Sequence, residues 1–255
     1  MVISFSITNI EKNYIMKFIA FLVSIFIFQN MSICKADDKL VIEHLTGDFY
    51  IYTTYNYYEE NRIPANGMYI VTNEGVILID SPWDSTQCQP LLDSIAAKHN
   101  TEVTMCIATH WHSDKTDGLN YFRRKGIQTF ASKKTDELCI KNEKNRSEYT
   151  FANDTVFHLG QYSFTTYYPG QGHTEDNIVI WFDNEKILYG GCLIKGSKAK
   201  NLGYTGDGNT TTYASTLKTL QEKFPKPKFI VVSHSPWEDN LKALKHSIRL
   251  AKKLK

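Results

Sequence analysis

The segment Val103-Thr-Met-Cys-Ile-Ala-Thr-His-Trp-His-Ser-Asp114 joins an apolar run to a cluster of side chains that bind metals. Residues 103–108 read as a short buried strand. His110, His112 and Asp114 then alternate along what reads as an extended segment, which points all three to one side. Zinc takes His nitrogen, Cys thiolate and Asp oxygen, usually four in a tetrahedron. The Asp sits further along than the two histidines, which suits a second ion beside the first.

Outward from this segment, three more strands end in the same way. His173 follows a strand ending at 168, in the loop Pro169-Gly-Gln-Gly-His173. Cys192 follows a strand over 186–189, after Gly190-Gly191, and His234 follows a strand over 229–232. A sheet edge is a rigid place to gather ligands from distant parts of a chain. His44, His99, His158 and His246 lie in ordinary strand or helix positions without a partner motif, and we assign them no site role.

The rest of the chain supplies two similar halves. Strands are expected at 40–44, 48–54, 68–72 and 76–79, with Asn73-Glu74-Gly75 as a tight turn. Leu91, Leu92, Ile95 and Ala96 have helical spacing, so 86–98 reads as a helix. A helix at 118–124, a strand at 128–131 and a helix at 135–144 follow. The second half opens with strands at 155–159, 162–168, 178–182 and 186–189. A helix at 212–224 stops before Pro225 and Pro227. The strand at 229–232 and a helix at 240–254 close the chain. Strands first, then alternating helix and strand, suits two mixed sheets packed face to face with helices outside.

Composition agrees with one such domain, expected over 37–255. The 255 residues are 42% hydrophobic and 22% charged, with no repeat and no Gly/Ser- or Pro-rich linker. The first 36 residues differ. Met16-Lys17 precedes an uncharged, largely apolar run of eleven residues, 18–28, followed by Cys34-Lys35-Ala36. This pattern reads as a signal peptide cleaved before Asp37, with Met16 as a second candidate start. The run is short of the ~20 apolar residues of a membrane span, so no stable anchor is expected. Export to the periplasm follows. Cleavage removes Lys12, Lys17, Lys35 and Glu11, and the remainder is formally neutral. That charge argues against nucleic acid as a partner. Cys88, Cys106, Cys139 and Cys192 remain, scattered through different elements of a chain large enough to need no disulfide.

Together, Thr109-His-Trp-His-Ser-Asp-Lys-Thr-Asp-Gly118, Gly172-His-Thr-Glu-Asp-Asn177, Gly190-Gly-Cys192 and Ser233-His-Ser235 resemble the metallo-beta-lactamases of subclass B1. Residues 78–84 and 201–207 extend the likeness over nearly all of the chain after the leader. The resemblance implies the four-layer αβ/βα sandwich, a monomer and two zinc ions. His110, His112 and His173 would hold one ion, and Asp114, Cys192 and His234 the other. A hydroxide between them would attack a small-molecule β-lactam, carbapenems included, with Asp114 orienting it as a catalytic residue. Lys195 would pair with the substrate carboxylate. Residues 57–66, read here as a polar loop between strands, would fold over the substrate. Asp80 would support the metal loop, and Trp83 reads as a core aromatic.

Relatives acting on thioesters or phosphodiesters usually carry a His after the motif Asp and an Asp as bridging ligand; this chain has Lys115 and Cys192. Another two-zinc hydrolase, such as a lactonase or thioesterase, is the alternative, and a zinc-storage protein without turnover is a third reading. Two departures from the family pattern stand out. Asp117-Gly118 replaces a common Gly-Gly, and Tyr204, at a substrate-binding position, stands where many members carry the Asn that contacts the lactam carbonyl, so that contact does not carry over.

Overall fold

The computed structural model describes residues 40–152, 154–237 and 241–254. The expected leader and its cleavage site lie outside the described residues.

Seven strands form the first sheet in sequence order: β1 (Val41–Thr46), β2 (Phe49–Tyr58), β3 (Asn61–Thr72), β4 (Gly75–Ile79), β5 (Val103–Ala108), β6 (Gln128–Ser132) and β7 (Tyr149–Phe151). The first four are joined antiparallel and the last three add in parallel. The second sheet has the order β12-β11-β10-β9-β8, from β8 (Val156–Leu159), β9 (Tyr162–Tyr167), β10 (Val179–Phe182), β11 (Ile187–Gly191) and β12 (Phe229–Val232). Its pairs are antiparallel except β11 with β12. The helices are α1 (Cys88–His99), α2 (Ser113–Thr116), α3 (Leu119–Arg124), α4 (Lys133–Lys141), α5 (Thr210–Lys223) and α6 (Ala243–Ala251), with a 3-10 turn at Ser85–Gln87.

Three apolar layers explain why strands such as Gly75–Ile79 are apolar throughout rather than alternating. Ile77 and Ile79 face inward, with Met68, Ile107, Ile180 and Tyr189, and fill the space between the sheets. Val76 and Leu78 face outward and meet Leu91, Ile95 and Phe122 of the helices. On the other side Val179 and Leu188 pack on Leu217, Leu220, Leu244 and Ile248. The result is a helix–sheet–sheet–helix sandwich.

The structure corrects several boundaries. Residues 57–66 are not a loop: β2 and β3 pair without interruption from Phe49↔Ile70 to Tyr58↔Asn61, so only Glu59 and Glu60 turn the ribbon. Tyrosines and a β-branched Ile63 suit a pleated, half-exposed strand, and Pro64 is accommodated in it. The helix near 135–144 begins earlier, at Lys133, because the Ser132 side chain caps the Thr135 amide at 3.0 Å. The closing helix spans 243–251 instead of 240–254. At the tight turn, Gly75 has φ +118, a conformation open to glycine, and a Cβ there would strike Thr104.

Candidate metal centre

Four strands deliver the six singled-out side chains to one edge of the sandwich. β5 ends two residues before His110, β11 one residue before Cys192, and β12 two residues before His234; His173 lies in the loop between β9 and β10. One detail differs from the extended reading of 110–114. His112 caps the short helix α2, and its carbonyl accepts from the amides of Lys115 at 2.9 Å and Thr116 at 3.1 Å. Asp114 therefore arrives on a helical turn. The turn forms because Thr116 also donates its hydroxyl to the His112 carbonyl, at 3.1 Å.

The side chains meet closely. Cys192 Sγ lies 3.2 Å from Asp114 Oδ2 and 3.3 Å from His234 Nε2, and His234 Nε2 is 3.1 Å from Asp114 Oδ2. The rings of His110, His112 and His173 pack edge to face with centroids 4.9, 5.0 and 5.0 Å apart. His110 Nε2 is 3.9 Å from Asp114 Oδ1 and joins the two trios. Donor atoms also converge across that division, as His110 with His173 and Cys192, and as His110 with His112 and Asp114. The geometry is one continuous cluster. Among the described residues Cys88, Cys106, Cys139 and Cys192 are free and buried.

These residues fit a metal. His110 Nε2 and His173 Nδ1 are buried nitrogens without a hydrogen-bond partner, a costly state unless something coordinates them. Burial, with positive neighbours, holds the pKa of both rings well below the usual histidine range, so their lone pairs stay available. Burial pushes Asp114 toward neutrality, but Lys115 and His234 outweigh it and hold the carboxyl well below its ordinary range. Burial opposes charge on His234 too, yet Cys192 and Asp114 raise it to about 10. Nitrogen, sulfur and one carboxylate form a donor set suited to zinc.

Residues 61–250 match the family profile described as the metallo-beta-lactamase superfamily. The chain belongs to the metallo-beta-lactamase superfamily. A metallo-beta-lactamase type 2 of Elizabethkingia meningoseptica is 40% identical over 212 residues, 83% of this chain and 85% of the relative. Metallo-beta-lactamase IND-1 of Chryseobacterium indologenes is 35% identical over 86% of this chain and 91% of its own length. Among solved structures, a metallo-beta-lactamase from Pontibacter korlensis superposes with a TM-score of 0.80 at 36% identity, covering 84% of this chain and 99% of that one.

Within this metallo-beta-lactamase fold, several residues that support the centre have no spacing rule to reveal them. Asp207 accepts from His112 Nε2 at 3.0 Å and fixes that ring across 95 residues. Asn66 donates to the carbonyls of Val232 and Ser235, both at 2.8 Å, and so pins the loop carrying His234. The Pro64 carbonyl lies 2.7 Å from His234 Nδ1, which leaves Nε2 facing the cluster. Asp80 has φ +66, a strained value for a residue with a side chain. Its carboxylate accepts from the Thr109 amide at 2.8 Å and the Tyr189 hydroxyl at 2.6 Å, and its carbonyl from Tyr52 at 2.6 Å. The support expected of Asp80 is thus visible as a set of bonds holding the segment before His110. Of the histidines given no site role, His99 meets the Tyr69 hydroxyl at 3.0 Å and His246 the Ala199 carbonyl at 2.7 Å, both away from the cluster.

A pocket of about 780 Å³ opens above the cluster, lined by His112, Asp114, His173 and His234 and by Lys195 and Tyr204. The Lys195 backbone is clamped to Ser247, which accepts its amide at 2.9 Å and donates to its carbonyl at 3.2 Å. Burial lowers the Lys195 pKa, while Cys192 and Asp114 support its charge. Trp83 lines this pocket with its ring 5.9 Å from His234, which corrects its reading as a core aromatic. Gly208 is a packing constraint: a Cβ there would overlap the Gly172 carbonyl and come 2.6 Å from the His173 carbonyl. Backbone cannot rotate aside as a side chain can. Gly208→Ala is expected to cost about 1–3 kcal/mol and to displace His173, read out together by urea unfolding and zinc content.

Proposed function

We propose that this chain hydrolyses the amide bond of β-lactams with zinc held by His110, His112, His173, Asp114, Cys192 and His234. The observation that carries the reading is the convergence of these six donors below a pocket lined by Lys195. The relatives named above, metallo-beta-lactamases by name, support the substrate class. When bound, zinc supplies a water acidified to a pKa near 7 and a Lewis acid for the carbonyl. Subclass B1 resemblance supports two ions, and the reading extends to carbapenems.

The chain's own groups do the positioning. Asp114 stays ionised over the working pH range. A carboxylate held that far below its ordinary range is a weak base, so Asp114 orients the attacking water by accepting its hydrogen bond more readily than it stores its proton. His112 is kept in one orientation by Asp207, and His234 by the Pro64 carbonyl. Lys195 presents an ammonium to the substrate carboxylate, an ionic contact that fixes the ring over the cluster. Trp83, Trp111 and Ile63 wall the pocket with apolar surface and keep bulk water from the reacting bond. Among the described residues no helix is long and apolar enough to cross a membrane. Export to the periplasm by the 1–36 leader belongs to the same proposal, and sequencing the N-terminus of the secreted protein tests it.

Nitrocefin and imipenem turnover, abolished by EDTA and restored by zinc, with two zinc per chain, is the expected result. Stoichiometric zinc without turnover of either compound would sink the reading. Lys195→Ala is expected to raise KM by about tenfold or more with zinc content unchanged, the value of one charge-assisted contact. Unaltered kinetics would remove Lys195 from substrate binding.

A further inference from the structure

Beside the metal pocket lies a second cavity, of about 460 Å³, that the reaction described does not use. Its volume falls within the ~300–1,000 Å³ of small-molecule sites. Its walls are polar and mostly basic. Asn120 and Arg123 come from α3, and Lys144, Arg146 and Glu148 from the segment between α4 and β7. Three cations therefore stand against one acid.

Two of the three cations are uncommitted. Arg146 is tied to Asp136, with Nε and Nη2 donating to its carboxylate at 2.9 and 2.8 Å. Arg123 and Lys144 form no ion pair among the described residues. Arg123 donates instead to a neutral acceptor, Asn120 Oδ1, at 3.1 Å. Lys144 acts on Asp117 without pairing with it: burial raises the pKa of that carboxyl, and the Lys144 charge pulls it back. Two such cations lining one cavity repel each other, and an anion between them removes that repulsion.

The walls are held in place before any ligand arrives. Asn120 Nδ2 donates to Asn145 Oδ1 at 2.5 Å, and Asn145 Nδ2 donates to the Asp117 carbonyl at 2.7 Å. Each amide nitrogen keeps a second hydrogen for a ligand. The Glu148 amide donates to Thr129 Oγ1 at 2.9 Å, and the Ser147 hydroxyl to the Tyr149 carbonyl at 2.9 Å. A preformed wall loses little freedom on binding. The amide chain ends at Asp117, which closes α2 and is one of the two departures from the family pattern. Lys144 is shared with the metal pocket, and the other walls are not.

We propose that this cavity binds a small phosphate monoester, its phosphate held by Arg123 and Lys144 and its polar body by Asn120 and Asn145. A guanidinium fork meets two phosphate oxygens at once, and an ammonium adds a point charge. Two free cations favour a phosphate, with nearly two negative charges at neutral pH, over a carboxylate with one. The site is separate from the metal centre and does not depend on the hydrolase reading.

Glucose 6-phosphate, glucuronate and glucose present a similar ring with nearly two negative charges, one and none. Titrated at low ionic strength into the zinc-loaded protein, glucose 6-phosphate is expected to shift the side-chain amide resonances of Asn120 and Asn145 saturably, with a Kd of about 1 mM or tighter. Glucuronate should bind more weakly, and glucose should leave both resonances in place. Arg123→Gln and Lys144→Gln keep a polar side chain of similar length, and each is expected to weaken binding by about tenfold, the value of one charge-assisted contact. Amide resonances that do not move, equal affinity for glucose, or unchanged affinity in both variants overturns the site. Shifts confined to residues around His112 and Lys195 overturn it too, because the metal centre alone would then be capturing the phosphate.

Discussion

Lys115→Met is expected to lower the stability of the metal-free protein by about 3–5 kcal/mol, the range for removing one partner of a buried ion pair. The lysine is fully buried, with Nζ donating to Ser233 Oγ at 2.7 Å and lying 3.3 Å from both Asp80 Oδ2 and Asp114 Oδ2. Burial opposes its charge, but Asp80, Cys192 and Asp114 prevail and hold it protonated. Methionine fills the volume and leaves two buried carboxylates without their cation. Asp80 is already pushed up by burial against the pull of Lys115, so it takes up a proton when the lysine is gone. Urea unfolding after EDTA treatment reads the loss. The double variant Asp80→Asn, Lys115→Met is expected to destabilise by less than the sum of the single changes, because the second change removes one of the stranded charges. Equal stability of wild type and Lys115→Met would show that the buried triad contributes nothing.

Asp114→Asn is expected to reduce kcat/KM for nitrocefin by at least about 100- to 1,000-fold, the scale of losing one preorganised charge at a reacting centre. The amide has the shape of the carboxylate but not its charge. It weakens a metal donor and leaves Lys115 and His234 facing each other across a neutral group. Zinc bound per chain should fall at the same time. Because His110, His112 and His173 keep their packing, far-ultraviolet circular dichroism should not change. Full activity with full zinc content would remove Asp114 from the centre.

The candidate ligands were legible because each combines a ligand-type side chain with the end of an apolar strand. His110, His173, Cys192 and His234 need only that local pattern, and the structure brings all four together. The supporting residues were not legible, for a physical reason. Asp207 reaches His112 across 95 residues, and Asn66 reaches the His234 loop across more than 160. Such contacts come from the stacking of two sheets, which no periodicity records. The 57–66 ribbon was misread because polar residues and a proline imitate a loop, while pairing between its two strands overrides both.

Alternation of apolar residues, helical spacing and turn residues determined by themselves the two sheets, the helices on their outer faces and the list of side chains able to hold zinc. Those properties are local, set by backbone geometry and side-chain chemistry within a few residues. Tertiary structure alone decided which neighbours tune them: the Lys115 ammonium beneath Asp114, the orphaned nitrogens of His110 and His173, and the Asp207 carboxylate beside His112. Charge interaction and desolvation act through space, so they exist only once the two sheets have closed on each other.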